Sequence, residues 1–160
     1  MKDTIKENGN TEIDTKEKQD ILVYESDFVR KKKVTLTMGS YMDNNAVYLG
    51  LMDRENEKDE FWCDVTVNLG GNLPPYCGYL DTDNSPGIMK FVEKYHLGKF
   101  TGIPGYSGFR VYPLYKFDRE KLRELCPDEV ELYERLIGYV AEPAGNTASM
   151  ADRAEIRVKV

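Results

Sequence analysis

The chain of 160 residues is 41% apolar, 31% charged and 11% aromatic, the size of one domain with some tail, and such a length buries roughly 70% of the unfolded surface without disulfides or metal. Its 22 Lys and Arg against 28 Asp and Glu leave a net charge of −6, which excludes a generally basic binder of nucleic acid or anionic membrane. No apolar run reaches the roughly 18 residues of a membrane helix and no signal-peptide core opens the chain, so a soluble, cytoplasmic protein without a membrane partner is expected.

Residues 1–20 hold Ile5 and Ile13 as their only apolar side chains after Met1, and a disordered charged tail is expected there. A single domain is expected over residues 21–142. It opens on Ile21-Leu22-Val23-Tyr24, then Phe28 and Val29, a strand or an amphipathic turn. The basic run Arg30 to Lys33 is a solvated lead-in with room to touch one phosphate. In residues 33–41, Val34, Leu36 and Met38 alternate with Thr35 and Thr37; in 46–52, Val47, Leu49 and Leu51 repeat the period. Two strands joined by Asp43-Asn44-Asn45 follow as a hairpin. After a charged turn at 53–59, residues 60–68 form a third strand, with Phe61, Cys63, Val65 and Val67 inward and Trp62, Asp64 and Thr66 outward. Short connections make these three an antiparallel meander.

Gly70-Gly71-Asn72-Leu73-Pro74-Pro75 is an irregular loop. Ser85 is placed to cap a helix with Pro86 at its first position and Ile88, Phe91, Val92 and Tyr95 as its apolar stripe; Gly98 is placed to end it. Residues 99–108 read as a Gly- and Pro-rich loop, and 110–117 as a fourth strand in which Pro113 marks an edge or a bulge. Asp118 caps a short helix carrying Leu122 and Leu125, and Pro127 restarts it with Val130, Tyr133, Leu136, Ile137 and Val140. Residues 143–160 form a C-terminal tail whose Ile156, Val158 and Val160 have the period of an added edge strand. The fold class is α+β: an antiparallel sheet of about four strands, a meander plus one, against two or three helices. An unpaired edge near Pro113 or at 156–160 permits dimerisation, and the oligomeric state stays open.

The chemistry-bearing residues are sparse. Cys63, Cys77 and Cys126 form no CxxC pair, and zinc would need all three plus His96, the single histidine. Three reduced thiols packed as small apolar groups are expected, with no metal and no cofactor. Counted from Asp81, a calcium loop would need Gly and an acid where Pro86 and Val92 stand. Asp81 and Asp83 also lack the long apolar strand and larger scaffold of an aspartyl nucleophile, so a turn leading into the Ser85 cap is the plainer reading. The glycines from Gly98 to Gly108 lack Gly-Lys-Ser or Gly-Lys-Thr, since Phe100 follows Lys99, and lack G-x-G-x-x-G. That leaves an Ω-like structural loop or a partner-binding one, with Gly102, Gly105, Tyr106, Ser107, Gly108, Phe109 and Tyr112 as candidate contacts. Tyr106, Phe109, Tyr112, Tyr115 and Phe117 have only Arg110 and Lys116 beside them, so core packing is expected rather than base stacking, and no direct nucleic-acid contact. His96 is assigned a helix-end role, and no catalytic residue is assigned.

Several stretches carry a family resemblance: Val65-Thr66-Val67-Asn68-Leu69, Leu80-Asp81-Thr82-Asp83-Asn84, Gly98-Lys99 with Thr101-Gly102, Ser107-Gly108-Phe109 and Tyr112-Pro113-Leu114-Tyr115-Lys116-Phe117. In this order, from about residue 33 to 125, the chain resembles an uncharacterised family, a domain of unknown function carried on conjugative and phage-like mobile elements of Gram-positive gut bacteria. The resemblance implies an accessory or counter-defence setting and supplies no catalytic residues.

Two functions are weighed. The first is a non-enzymatic acidic interaction protein of a mobile element, an anti-CRISPR-like inhibitor of a host nuclease or nucleoprotein complex, whose carboxylates stand in for phosphates. Its candidate residues are Asp53, Glu55, Glu57, Asp59 and Glu60 in one turn, interrupted by Arg54 and Lys58, and Asp128, Glu129, Glu131 and Glu134 on the last helix. The alternative is a small ligand-binding or enzymatic module in which the 98–108 loop meets Asp81, Asp83 and His96. A concave pocket joining those groups favours the second; a continuous acidic surface favours the first.

Overall fold

The computed structural model describes residues 20–28, 30–55 and 60–140. The expected tail at 1–19, the acids Glu57 and Asp59, and the expected edge strand at 156–160 lie outside the described residues. The described chain is α+β and antiparallel throughout, as the sequence predicts, but its strands form two four-stranded sheets. The first holds β1 (Leu22–Tyr24), β2 (Lys32–Ser40), β3 (Val47–Asp53) and β4 (Glu60–Asp64) in that order. The second holds β5 (Thr66–Val67), β6 (Cys77–Leu80), β8 (Arg110–Phe117) and β7 (Gly98–Ser107), with β7 at the edge. Helices α1 (Ile88–Lys94), α2 (Arg119–Leu125) and α3 (Pro127–Ile137) complete it.

The predicted meander is β2–β3–β4, paired from Val34 opposite Asp53 to Ser40 opposite Val47 and from Gly50 opposite Asp64 to Asp53 opposite Glu60. Val34, Leu36, Met38, Val47, Leu49 and Leu51 are buried on one face. Each such side chain contributes roughly 1.5–3 kcal/mol by leaving water. The third predicted strand is a corner. Val65, fully buried, donates its N–H to the Leu49 carbonyl and accepts at its own carbonyl from the Asp81 amide, both at 2.9 Å. It thereby stitches the two sheets together.

The inward and outward assignment of the third strand holds only in part. A register shift between Leu51 and Met52 places Cys63 opposite Leu51 and Phe61 opposite Met52. The extra residue, Trp62, turns toward the core, while Phe61 is exposed. A bulge inverts the period-two phase on one side of itself.

Two helix signals also moved. Ser85 does not cap α1: buried, its hydroxyl donates to the Asp64 carbonyl, and Gly87 is the N-cap with φ 86°. The left-handed residue after α1 is His96, φ 54°, so Gly98 instead begins β7, where a Cβ would lie 2.9 Å from the Lys116 carbonyl oxygen. Asp118 caps α2 as expected, accepting from the Lys121 amide at 3.0 Å, and Pro127 opens α3. Of the predicted last stripe, Val130 and Tyr133 are buried and Ile137 packs on the core, but Leu136 and Val140 are exposed. Gly138 ends the helix before Val140, and about 100° per residue carries Leu136 off the buried face.

Candidate functional site

The segment expected as a loop, residues 99–108, is an edge strand forming a hairpin with β8. Its pairs run Gly98–Phe117, Lys99–Lys116 and Phe100–Tyr115, then, after a shift, Pro104–Pro113, Gly105–Tyr112, Tyr106–Val111 and Ser107–Arg110. The bulge over 101–103 is closed by the Thr101 hydroxyl, which donates to the Leu114 carbonyl at 2.9 Å and accepts from the Ile103 amide at 3.2 Å. Glycine and proline made this stretch look irregular, yet each has a sheet position. The ladder of β6 on β8 ends at Leu114, so the missing N–H of Pro113 costs no bond on that side. Gly108 takes φ 62° as the first residue of the two-residue turn, a position that favours glycine.

The two faces of this hairpin differ. Paired residues share a face, so Tyr112 and Leu114 lie with Gly105, and both are buried. The Tyr79 ring covers Gly105 so closely that a Cβ there would meet it at 2.3 Å, with Leu69 at 2.8 Å. On the opposite face Phe117 and Tyr115 belong to the core, only 2% and 1% exposed. The same face continues outward through Phe100, the Pro104–Pro113 pair, Tyr106 and Val111. Phe100 is 53%, Tyr106 68% and Val111 52% exposed, and Phe109 at the tip is fully exposed. The tip is held down by an ion pair from Arg110 to Asp83. Residues 98–117 contain Lys99, Arg110 and Lys116 and no acid, in a chain of net charge −6.

The candidate acids have a different character. Asp53 is buried at 6% exposure and pairs with Lys32 at 2.8 Å; Glu55 completes that cluster at 3.6 Å and accepts from the Lys33 amide. Glu129 accepts from the Thr37 hydroxyl and the Met38 amide. Glu134 is gripped by Arg119, which reaches Oε1 at 3.1 Å and also bonds Oε2, and by the Tyr76 hydroxyl. Burial pushes the Glu134 carboxyl up, but these hydrogen bonds outweigh it and hold it below its ordinary value. Glu131 pairs with Arg135 one turn on, leaving Glu60 and Asp128 as exposed acids at the starts of β4 and α3. Asp53, Glu129 and Glu134 are therefore framework groups, and most of the described candidate acids have partners within the chain.

Nor do Asp81, Asp83 and His96 converge. Asp81 is buried and accepts from the Asn84 amide at 3.2 Å, Asp83 is spent on Arg110, and His96 is exposed behind α1. Among the described residues no group of three or more His, Cys, Asp or Glu is gathered as metal ligands would be, and no helix is long and apolar enough to cross a membrane.

Fold and site together define a class: an antiparallel α+β domain that displays an apolar hairpin beyond its core. The chain belongs to the family described as a domain of unknown function, DUF4313, whose model matches residues 35–137. No curated protein and no solved structure matches it.

Sequence reasoning placed Gly102, Gly105, Tyr106, Ser107, Gly108, Phe109 and Tyr112 together but not in their form. Gly108-Phe109 between Tyr106 and Val111 was the signal for it, a two-residue turn flanked by strand formers.

Proposed function

We propose that this protein is a non-enzymatic interaction protein whose partner docks on the exposed face of the β7–β8 hairpin. One observation carries the reading: the face that buries Tyr115 and Phe117 runs on uncovered through Phe100, Tyr106 and Val111 to Phe109. Contiguous apolar surface on a folded domain marks contact with another molecule. Aromatic side chains on a rigid hairpin lose little entropy when they bind. The partner is a protein with an apolar groove, since Lys99, Arg110 and Lys116 lie on the opposite face of the hairpin and leave the docking face uncharged. The setting is that of a cytoplasmic accessory or counter-defence protein of a mobile element, and the partner a bacterial nuclease or nucleoprotein complex. The acids serve this contact less well, because most of them already have partners within the chain.

Capture from a bacterial host lysate tests this, with the wild-type chain beside Tyr106→Ser/Phe109→Ser and Glu60→Lys/Asp128→Lys. A nuclease or nucleoprotein complex retained at high salt by the wild type and the charge variant, and lost from the hairpin variant at unchanged Tm, is the expected result. Equal retention by the hairpin variant, or no such complex at any salt, overturns it.

A further inference from the structure

Side chains close the strand edges of the first sheet. The Val23 amide, on the outer side of β1, donates to the Tyr95 hydroxyl at 2.8 Å. Past the end of β1, the Met38 amide of β2 donates to Glu129 at 2.9 Å. The Asp64 carbonyl of β4 accepts from the Ser85 hydroxyl at 2.7 Å. A side chain seated on an edge in this way takes the place of a further strand.

The outer edge of β7 is built differently. The Asp118 amide donates to the Leu97 carbonyl at 2.8 Å, which turns Leu97 toward β8. Antiparallel alternation then turns Lys99, opposite Lys116, toward β8 as well, and the backbone of Phe100 away from it. At the other end, Ser107 and Arg110 flank the two-residue turn and share ladder bonds, as does the next such pair, Gly105 with Tyr112. The Tyr106 N–H, the Tyr106 carbonyl and the Pro104 carbonyl therefore point outward in one row. None of these groups has a partner among the described residues, and Pro104, Tyr106 and Ser107 are exposed.

Two features limit what can pair there. Pro104 offers a carbonyl and no N–H, and the bulge over 101–103 breaks the line toward Phe100. Both are devices that keep a long edge from pairing with another long edge, a second copy of β7 included. They leave room for a short strand along residues 104–107.

We propose that a short extended segment of the partner protein adds to this edge as an antiparallel strand, apolar at alternate positions. Its apolar side chains lie beside Pro104 and Tyr106 on the docking face, and the others pass Gly105 and Ser107. Main-chain bonds supply affinity in strand addition, and the alternate side chains supply specificity. The inference rests on the hairpin docking proposed above and makes an extended segment one wall of the partner's groove.

Proton–nitrogen correlation spectra of the full chain read this edge amide by amide. In the free chain the Tyr106 N–H is expected to exchange with solvent about tenfold faster, or more, than those of Lys99 and Gly105. The probe is the peptide acetyl-Glu-Val-Thr-Val-Thr-Val-Glu-amide, beside the same peptide N-methylated at its valines, whose N–H groups face β7 when their side chains lie beside Tyr106. The first is expected to protect the Tyr106 N–H and move it downfield in a saturable way, and the second to do neither. Tyr106→Val and Tyr106→Pro both lack the ring, and only the proline lacks the N–H, which no ladder bond to β8 uses. At matching Tm the proline variant is expected to bind the first peptide about tenfold more weakly than the valine variant. A Tyr106 amide already protected in the free chain, no saturable shift, equal effects of the two peptides, or equal affinities of the two variants would each overturn the edge pairing. Any of these with the complex still lost from Tyr106→Ser/Phe109→Ser leaves docking on the face standing; retention of the complex by that variant removes the docking itself.

Discussion

Glu129 of α3 accepts two hydrogen bonds on one oxygen, from the Thr37 hydroxyl at 2.7 Å and from the Met38 amide at 2.9 Å. The contact fastens the last helix to β2 near the middle of the chain's first hairpin, ninety-one residues away in sequence from Met38. A carboxylate read from the sequence as surface charge is thus a clasp between layers. Removing it strands two partly buried donors, so Glu129→Ala is expected to cost about 1–3 kcal/mol. Glu131→Ala, which breaks only an exposed pair to Arg135 one turn away, is expected to change stability by less than about 0.5 kcal/mol. Thermal unfolding of both variants measures the contrast; equal losses would show that Glu129 is ordinary surface.

Glu134 gives the fold an acid limit. Its carboxyl lies below its ordinary value of 4.5 in the folded chain, because hydrogen bonds from Arg119 and Tyr76 outweigh the effect of burial. A group whose folded pKa is depressed stabilises the fold fully above its unfolded pKa and loses that contribution as pH falls through the folded value. Wild type is therefore expected to exceed Glu134→Gln in stability by a constant margin at neutral pH, with the margin shrinking below about pH 4.5. Urea unfolding at pH 7, 5, 4 and 3 measures it. A margin that stays constant to pH 3 would place the effect in packing.

Much of this architecture was visible beforehand where one physical signal dominated. Val34, Leu36 and Met38 against Thr35 and Thr37, or Asp118 ahead of Leu122 and Leu125, left little choice. Three features stayed hidden because they depend on partners distant in sequence. Phe61 and Trp62 exchange faces through a bulge that exists only when β4 lies on β3. Gly98, Gly102, Pro104 and Gly105 look like loop residues, and become a strand because β8 lends them its ladder and Tyr79 needs the missing side chain of Gly105. The acids looked alike in sequence, whereas Glu129 and Glu134 differ from Asp128 and Glu131 only in what the fold brings opposite them.

The closeness of Tyr79 to Gly105 predicts a coupled pair. Gly105→Ala forces a Cβ into the Tyr79 ring and is expected to destabilise the hairpin by about 1–3 kcal/mol. Gly102→Ala has open space but sits at φ 87°, so its expected cost, about 1–2 kcal/mol, is backbone strain alone. Tyr79→Ala should relieve the first substitution and leave the second untouched. A double-mutant cycle measures this, and additivity in both pairs would mean that the ring does not constrain the strand.

The thiols are predicted to be inert. Burial pushes Cys63 up to about 11 and Cys126 up to about 12, with nearby carboxylates adding to the rise, and Cys77 is buried as well. Since the thiolate is the nucleophile, a pKa near 11 leaves roughly one part in a thousand reactive at pH 8. Native chain treated with iodoacetamide at pH 8 is expected to label at Cys63 more than a hundredfold more slowly than the same chain in guanidinium chloride, with Cys77 and Cys126 slower again. Intact-mass measurement over time follows the adducts. Labelling of Cys63 at the rate of an exposed cysteine would show that β4 opens readily to solvent at this position.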